Sequence, residues 1–244
     1  MEQQTRPPDE LKTGTTTVGL IGKDCVVLAS DQRATMGYLI ASKTAKKIYR
    51  ITDRIGATIA GSVADAQAMM DLLKAEAKLF EIQRERPMKV KALTRLLSNI
   101  MFQARGAYLL QCLVGGFDDE GPQVYYNDYI GSVLSDKYTS TGSGSPVALG
   151  VLEAGYQDDL PKSQAIELAI SAIASAISLV RNSTRLPRPS SRGAVPGAVS
   201  SGPNNGTRAM LEPLLPEGAF VLGLDEHTGV IIDLDADTAE IVGK

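Results

Sequence analysis

The hydrophobic pattern changes period several times along the chain, and each change separates strand-like from helix-like territory. Residues 1–14 are polar, contain Pro7-Pro8 and show no period; such a segment has too little apolar surface to order itself. From residue 16 short β-branched runs take over. Runs at 16–21 and 25–29 flank a Gly22-Lys23-Asp24 turn and predict a hairpin, and further strands are predicted at 38–41, 48–51 and 56–60. Asp31-Gln32-Arg33 and the basic stretch from Lys43 to Lys47 fall where strands end or begin. At Ser62 the period becomes helical. Ser62-Val63-Ala64-Asp65 reads as a capping box, and Ala66, Met69, Met70, Leu73, Ala77 and Phe80 mark one face of a helix reaching about residue 85. Pro87 interrupts it. Val90, Leu93, Leu97, Ile100, Met101 and Ala104 mark a second helix, so an antiparallel helix pair on one sheet face is predicted.

Strand character returns at 109–117 and 123–126, joined by the turn Asp118-Asp119-Glu120-Gly121, and continues through 132–140 to the tight turn Thr141-Gly142-Ser143-Gly144-Ser145. A third helix is predicted from near Pro161, with Ile166, Ile170, Ile173, Ile177 and Val180 along one face. Residues 184–208 are rich in Pro, Gly and Ser with arginine as the only charged residue, which predicts a disordered insertion. Runs at 219–224 and 229–234 flank a turn holding His227 and close the chain. Strands, two helices, strands, a helix and strands again predict an α+β fold of antiparallel sheets covered by helices.

Composition then narrows the chemistry. A net charge of −3 gives no basic surplus for nucleic acid. No apolar run approaches the ~18 residues of a membrane span, and the first residues lack the basic-then-apolar order of a secretory leader, so the cytoplasm is the expected location. Cys25 and Cys112 lie inside apolar runs and are expected to be buried reduced thiols, too few for a disulfide framework or a zinc cluster. With His227 as the single histidine, acid–base chemistry is expected to rest on another group. His-Glu-x-x-His, G-x-S-x-G and Walker motifs are missing. Gly142-Ser143-Gly144-Ser145 lacks the lysine and spacing of a phosphate loop, and Asp233, Asp235 and Asp237 lack the glycine and distal glutamate of a calcium loop. Neither a metal nor a cofactor is expected.

A threonine chemistry remains, centred on Thr13-Gly14-Thr15-Thr16-Thr17-Val18-Gly19. A threonine hydroxyl is a weak nucleophile that needs a base, and a free α-amine with a pKa of ~7.7–8.0 can serve. Thr15 would own such an amine only after cleavage between Gly14 and Thr15. Its hydroxyl could begin that cut itself by an N-to-O acyl shift onto the Gly14 carbonyl, which no Cβ shields. Residues 1–14 would then be a propeptide removed autocatalytically, leaving 15–244 as the working domain.

The sequence resembles the proteasome β subunits, most closely the archaeal type. The resemblance rests on Thr15-Thr16-Thr17-Val18-Gly19, Ala29-Ser30-Asp31-Gln32-Arg33-Ala34-Thr35-Met36-Gly37, Ser42-Lys43-Thr44-Ala45-Lys46-Lys47-Ile48, Ala60-Gly61-Ser62-Val63-Ala64-Asp65, Gly115-Gly116-Phe117-Asp118 and Thr141-Gly142-Ser143-Gly144-Ser145, in order from Thr15 to about Ile177. It implies the N-terminal nucleophile hydrolase fold, a four-layer αββα sandwich of two antiparallel sheets. It implies Thr15 as nucleophile, Lys47 as the cation tuning it, Asp31 as the partner orienting Lys47, the Gly61 N–H as oxyanion donor and Ser143 as a hydrogen-bonding group near the Thr15 amine. A pocket of Ala34, Ala45, Ile59 and Val63 implies cleavage after apolar residues, a chymotrypsin-like preference. Implied partners are other β subunits in β7 rings, α subunits in an α7β7β7α7 particle, a regulatory ATPase ring and unfolded polypeptide substrate, with no nucleic acid and no membrane.

One position departs from the family pattern. Where an aspartate usually stands near the end of the third helix, an ungapped reading places Val180, followed by Arg181-Asn182-Ser183; Ser183 matches the family serine. Asn182 or an altered helix end replaces the carboxylate, or the site is weakened. A structural β subunit with little activity is therefore a second reading, and an N-terminal nucleophile amidohydrolase acting on a small molecule is a third that the Asp31/Lys47 spacing disfavours.

Overall fold

A computed structural model of the chain describes residues 14–36, 39–42, 45–183, 227–233 and 238–242. Residues 1–13 of the expected propeptide, Lys43 and Thr44 of the basic stretch, the 184–208 insertion and the 219–224 run lie outside the described residues, as do Asp235 and Asp237. The elements in order are β1 (Thr17–Ile21), β2 (Cys25–Asp31), β3 (Ala34–Met36), β4 (Leu39–Ser42), β5 (Ile48–Arg50), β6 (Ile55–Gly61), α1 (Val63–Arg84), α2 (Val90–Ala104), β7 (Leu110–Asp118), β8 (Gly121–Asn127), β9 (Val133–Ser135), β10 (Tyr138–Thr141), α3 (Ser145–Gly155), α4 (Lys162–Ser183), β11 (His227–Asp233) and β12 (Thr238–Val242).

Two five-stranded antiparallel sheets carry the fold, ordered β10-β1-β2-β11-β12 and β5-β6-β7-β8-β9, with β3 and β4 as a separate pair. The alternation along β2 shows why they stack. Cys25, Val27 and Ala29 pack against α3 and α4 together with Ala148, Leu152, Ala169 and Ile173. Val26 and Leu28, on the opposite face, meet Leu113, Phe117 and Val124 of the second sheet. A strand buried on both faces reads as a continuous apolar run, as 25–29 does. The second sheet's outer face, including Ala57, Ile59, Cys112 and Val114, is covered by Met69, Met70 and Leu73 of α1 and Leu93, Leu97 and Met101 of α2. Four layers, helix, sheet, sheet and helix, result: the αββα sandwich expected from the sequence. Both cysteines are buried and neither forms a disulfide, and burial pushes the Cys112 thiol up to about 12.

Local signals explain most boundaries. Ser62 caps α1, its hydroxyl accepting the Asp65 N–H at 3.4 Å. The reciprocal half of the capping box is replaced: the Asp65 carboxylate accepts from the Leu109 N–H at 3.1 Å, while the Ser62 N–H donates to the Leu109 carbonyl at 2.8 Å. That exchange ties the start of α1 to the entry of β7. Glu85 ends α1 in the left-handed region with φ 54°, ahead of Pro87.

Three expectations need correction. The predicted third helix is the fourth, because α3 starts straight out of the glycine-serine turn, with Pro146 in its first turn and Ala148 and Leu152 buried. The single run 132–140 divides at Asp136-Lys137 into β9 and β10, which join different sheets. His227 opens strand β11, where it pairs with Asp31 rather than lying in a turn, and β11 also pairs with β12. Leu113→Ala, which opens a cavity between the sheets, is expected to destabilise the chain by ~2–5 kcal/mol. Ile82→Ala, at a side chain 66% exposed on α1, is expected to change stability by less than about 0.5 kcal/mol. Denaturant midpoints of the isolated chain measure both.

Candidate active site

The start of β1 and the ends of β2, β6 and β10 meet at one end of the sandwich. Asp31, the last residue of β2, is fixed from several sides. Its N–H donates to the Thr16 carbonyl at 3.1 Å, while its carboxylate accepts the Thr16 N–H at 2.8 Å and the Arg33 N–H at 2.9 Å. Both carboxylate oxygens also accept from Lys47 Nζ at 2.9 Å. Lys47 enters from the residue before β5, its carbonyl accepting the Ile59 N–H at 2.9 Å. From there Nζ also donates to Thr15 Oγ1 at 3.0 Å. Thr15, Asp31 and Lys47 are 6%, 2% and 5% exposed, so the ion pair and the hydroxyl share one buried compartment.

Burial sets the electrostatics. Loss of hydration pulls the Lys47 pKa below its ordinary 10.5; Asp31 opposes this by charge and hydrogen bonding, and Arg33 adds a smaller push downward. The net direction is down. Lys47 is thus closer than an exposed lysine to exchanging a proton with the hydroxyl it touches.

Two glycines shape the walls. Gly61, at the end of β6, has φ +133°, and a Cβ there would stand 2.1 Å from the Leu109 carbonyl oxygen. Gly142 has φ +91°, and its Cβ would stand 2.2 Å from the Thr15 carbonyl oxygen. Only glycine supplies these conformations without strain. The turn so formed brings the Gly144 N–H to 3.3 Å and Ser143 Oγ to 3.5 Å from the Thr15 carbonyl oxygen. Ser143 therefore reaches Thr15 on its carbonyl side.

Beside Thr15 opens a cleft lined by Ala34, Ala45, Lys46, Lys47, Ile59, Gly61 and Val63. The four residues expected of a pocket, Ala34, Ala45, Ile59 and Val63, stand together there with Gly61 and the hydroxyl. Lys46 was not foreseen. It is exposed, with Nζ 5.3 Å from the centre of the Tyr49 ring, and it brings a positive charge to a wall read as uncharged. Its adjacency to Lys47 was the only signal available. The Thr16 and Arg33 N–H groups that hold Asp31 were missed too, since backbone donors leave no mark in residue identity. α4 continues helically through Ser183, but the side chains of Val180, Asn182 and Ser183 lie outside the described residues.

Removing one partner of the buried pair leaves the other without compensation. Lys47→Met is expected to cost ~3–5 kcal/mol, and adding Asp31→Asn should recover most of it. The pH dependence has a definite sign. Because the folded-state pKa of Lys47 lies below 10.5, the unfolded chain binds more protons between the two values. Wild-type stability, relative to the Asp31→Asn/Lys47→Met variant, is therefore expected to rise as pH rises through that window. Urea unfolding from pH 7 to 10.5 checks all three statements.

Comparison with known proteins agrees with the architecture. The family model described as "Proteasome subunit" matches residues 11–185. "Proteasome subunit beta" of Methanopyrus kandleri is 49% identical over 172 residues, covering 69% of this chain and 82% of the relative. That of Methanoregula boonei is 51% identical over 170 residues, covering 69% and 80%. "Proteasome subunit beta 2" of Aeropyrum pernix is 47% identical over 168 residues, covering 68% and 76%. With the αββα sandwich and this extent of match, the chain belongs to the proteasome subunit family, among its β subunits.

Proposed function

We propose that the chain is an active β subunit of a proteasome core particle, a threonine endopeptidase that first cuts itself between Gly14 and Thr15. The observation that carries this reading is the contact of Thr15 Oγ1 with Lys47 Nζ, itself clamped by Asp31. In the uncut chain the Thr15 nitrogen is a peptide nitrogen and no base. Lys47, in its neutral form, takes the Oγ1 proton as the oxygen attacks the Gly14 carbonyl carbon. The Gly14–Thr15 C–N bond then breaks with that proton passing to the departing nitrogen, leaving an ester on Oγ1. That break frees the Thr15 α-amine, and water then hydrolyses the ester, releasing residues 1–14 as a carboxylate and restoring the Thr15 hydroxyl.

The same groups then act on substrate. The freed amine shuttles protons, Lys47 and Asp31 keep the hydroxyl nucleophilic, the Gly61 N–H supports the oxyanion, and Ser143 helps to hold the N-terminal residue. Ala34, Ala45, Ile59 and Val63 favour an apolar side chain at the cleavage position. Family membership supports assembly with further subunits: β7 rings, flanking α7 rings and an ATPase ring that delivers unfolded polypeptide.

Val180, which cannot accept a hydrogen bond, favours the competing reading of a weakly active structural subunit. An epoxyketone, which bonds to both the hydroxyl and the free amine of an N-terminal threonine, separates them. Covalent labelling of Thr15 in the assembled particle is expected, with loss of labelling in Asp31→Asn and in Lys47→Ala, whose uncut Thr15 offers no free amine. Fluorogenic peptides with Leu, Phe or Tyr at the cleavage position should be cut roughly tenfold or more faster than those with Glu or Lys. An unlabelled Thr15 in wild-type particles overturns the active reading, and faster cleavage after acidic residues would transfer control of specificity to Lys46.

A further inference from the structure

Three buried threonine hydroxyls have no place in the proton chemistry above. Thr17 and Thr58 are fully buried and Thr141 nearly so. Thr58 Oγ1 donates to Thr17 Oγ1 at 3.0 Å, and Thr17 Oγ1 lies 2.6 Å from Thr141 Oγ1. The chain of hydroxyls crosses between the sheets, since β1 and β10 belong to one and β6 to the other. Elsewhere that gap is filled by Val26, Leu28, Ile48, Leu113, Phe117 and Val124. Stability alone does not call for hydroxyls here, because exchanging hydrogen-bonded partners for apolar groups of the same shape is nearly neutral.

Their positions suggest what they do. Thr17 is two residues from Thr15, and Thr141 is two residues before Ser143. Thr58 pairs with Ile48, the neighbour of Lys47, and stands three residues before Gly61. Each hydroxyl thus lies within three residues of a site residue. Main-chain bonds reinforce the arrangement: Ser140 Oγ donates to the Thr17 carbonyl at 2.7 Å, and the Ile59 N–H to the Lys47 carbonyl at 2.9 Å. Apolar packing between sheets is non-directional and does not by itself select one lateral offset. A hydrogen bond, with its preferred distance and angle, does.

We propose that Thr58, Thr17 and Thr141 are positioning residues whose hydroxyl chain fixes the offset between the two sheets and thereby the approach of Lys47 Nζ to Thr15 Oγ1. The effect on rate rests on the hydrolase reading above; the effect on geometry does not. A displacement of about 1 Å at a reacting pair can cost ~10²-fold in rate.

The test compares wild type, Thr58→Val and Thr58→Ser in assembled particles. Its readouts are kcat and KM on an apolar fluorogenic peptide, the thermal midpoint, and hydrogen exchange in the segments 15–20 and 45–50. Thr58→Val is expected to lose about tenfold or more in kcat, with KM changed less than about twofold. It should also exchange faster in both segments at an unchanged midpoint, while Thr58→Ser stays near wild type. Wild-type kcat and exchange in Thr58→Val would overturn the proposal. So would a joint fall of kcat and midpoint that serine does not restore, which would mark a purely structural role. If wild-type particles hydrolyse nothing, the hydrolase reading fails by itself and exchange decides this one: unchanged protection in Thr58→Val refutes it, and faster exchange at an unchanged midpoint supports it.

Discussion

The buried pair of Lys47 and Asp31 is the constraint on which the candidate site depends. Two charges removed from water cost several kcal/mol each unless geometry and additional hydrogen bonds offset the loss. Here the offset comes from the fold: the Thr16 and Arg33 N–H groups fill the remaining acceptor positions of Asp31. Asp31 in turn holds Nζ where it must meet Thr15 Oγ1. The pair therefore links the start of β1, the end of β2 and the entry to β5, and none of these can shift without exposing a charge to an apolar interior.

The rest of the sandwich makes that constraint sustainable. Two apolar helix–sheet layers and one sheet–sheet layer fix the strands that carry the pair, and burial lowers the Lys47 pKa. The glycines at 61 and 142 allow main chain to approach where side chains would collide. In this account the buried threonine hydroxyls convert a non-directional stack of sheets into one with a defined offset.

Much of this was legible in the sequence where local chemistry is decisive. The β1–β2 hairpin, the Ser62 cap and the break at Pro87 follow from turns and periods, whereas the cleft residues Ala34, Ala45, Ile59 and Val63 came from the family resemblance. Helix α3 was hidden because Gly142 to Ser145 reads as a turn, and turn chemistry does not say what comes next. The 132–140 run could not reveal that its halves join different sheets, because a period of two marks a strand and not its neighbours. Thr17, Thr58 and Thr141 look like ordinary β-formers, so their mutual contact emerges only from the stacking. Asp31 and Lys47 were paired by family resemblance and not by spacing; sixteen residues of separation carry no geometric meaning until β2 and β5 are placed.

In the proposed self-cleavage, Lys47, oriented by Asp31, activates Thr15 against the Gly14–Thr15 bond. Intact mass of the chain after co-assembly with α subunits tests it most directly. Wild type is expected to lose residues 1–14 while Thr15→Ala and Lys47→Ala retain them. A full-length wild-type chain in fully assembled particles, or removal of the same residues from Thr15→Ala, would contradict it.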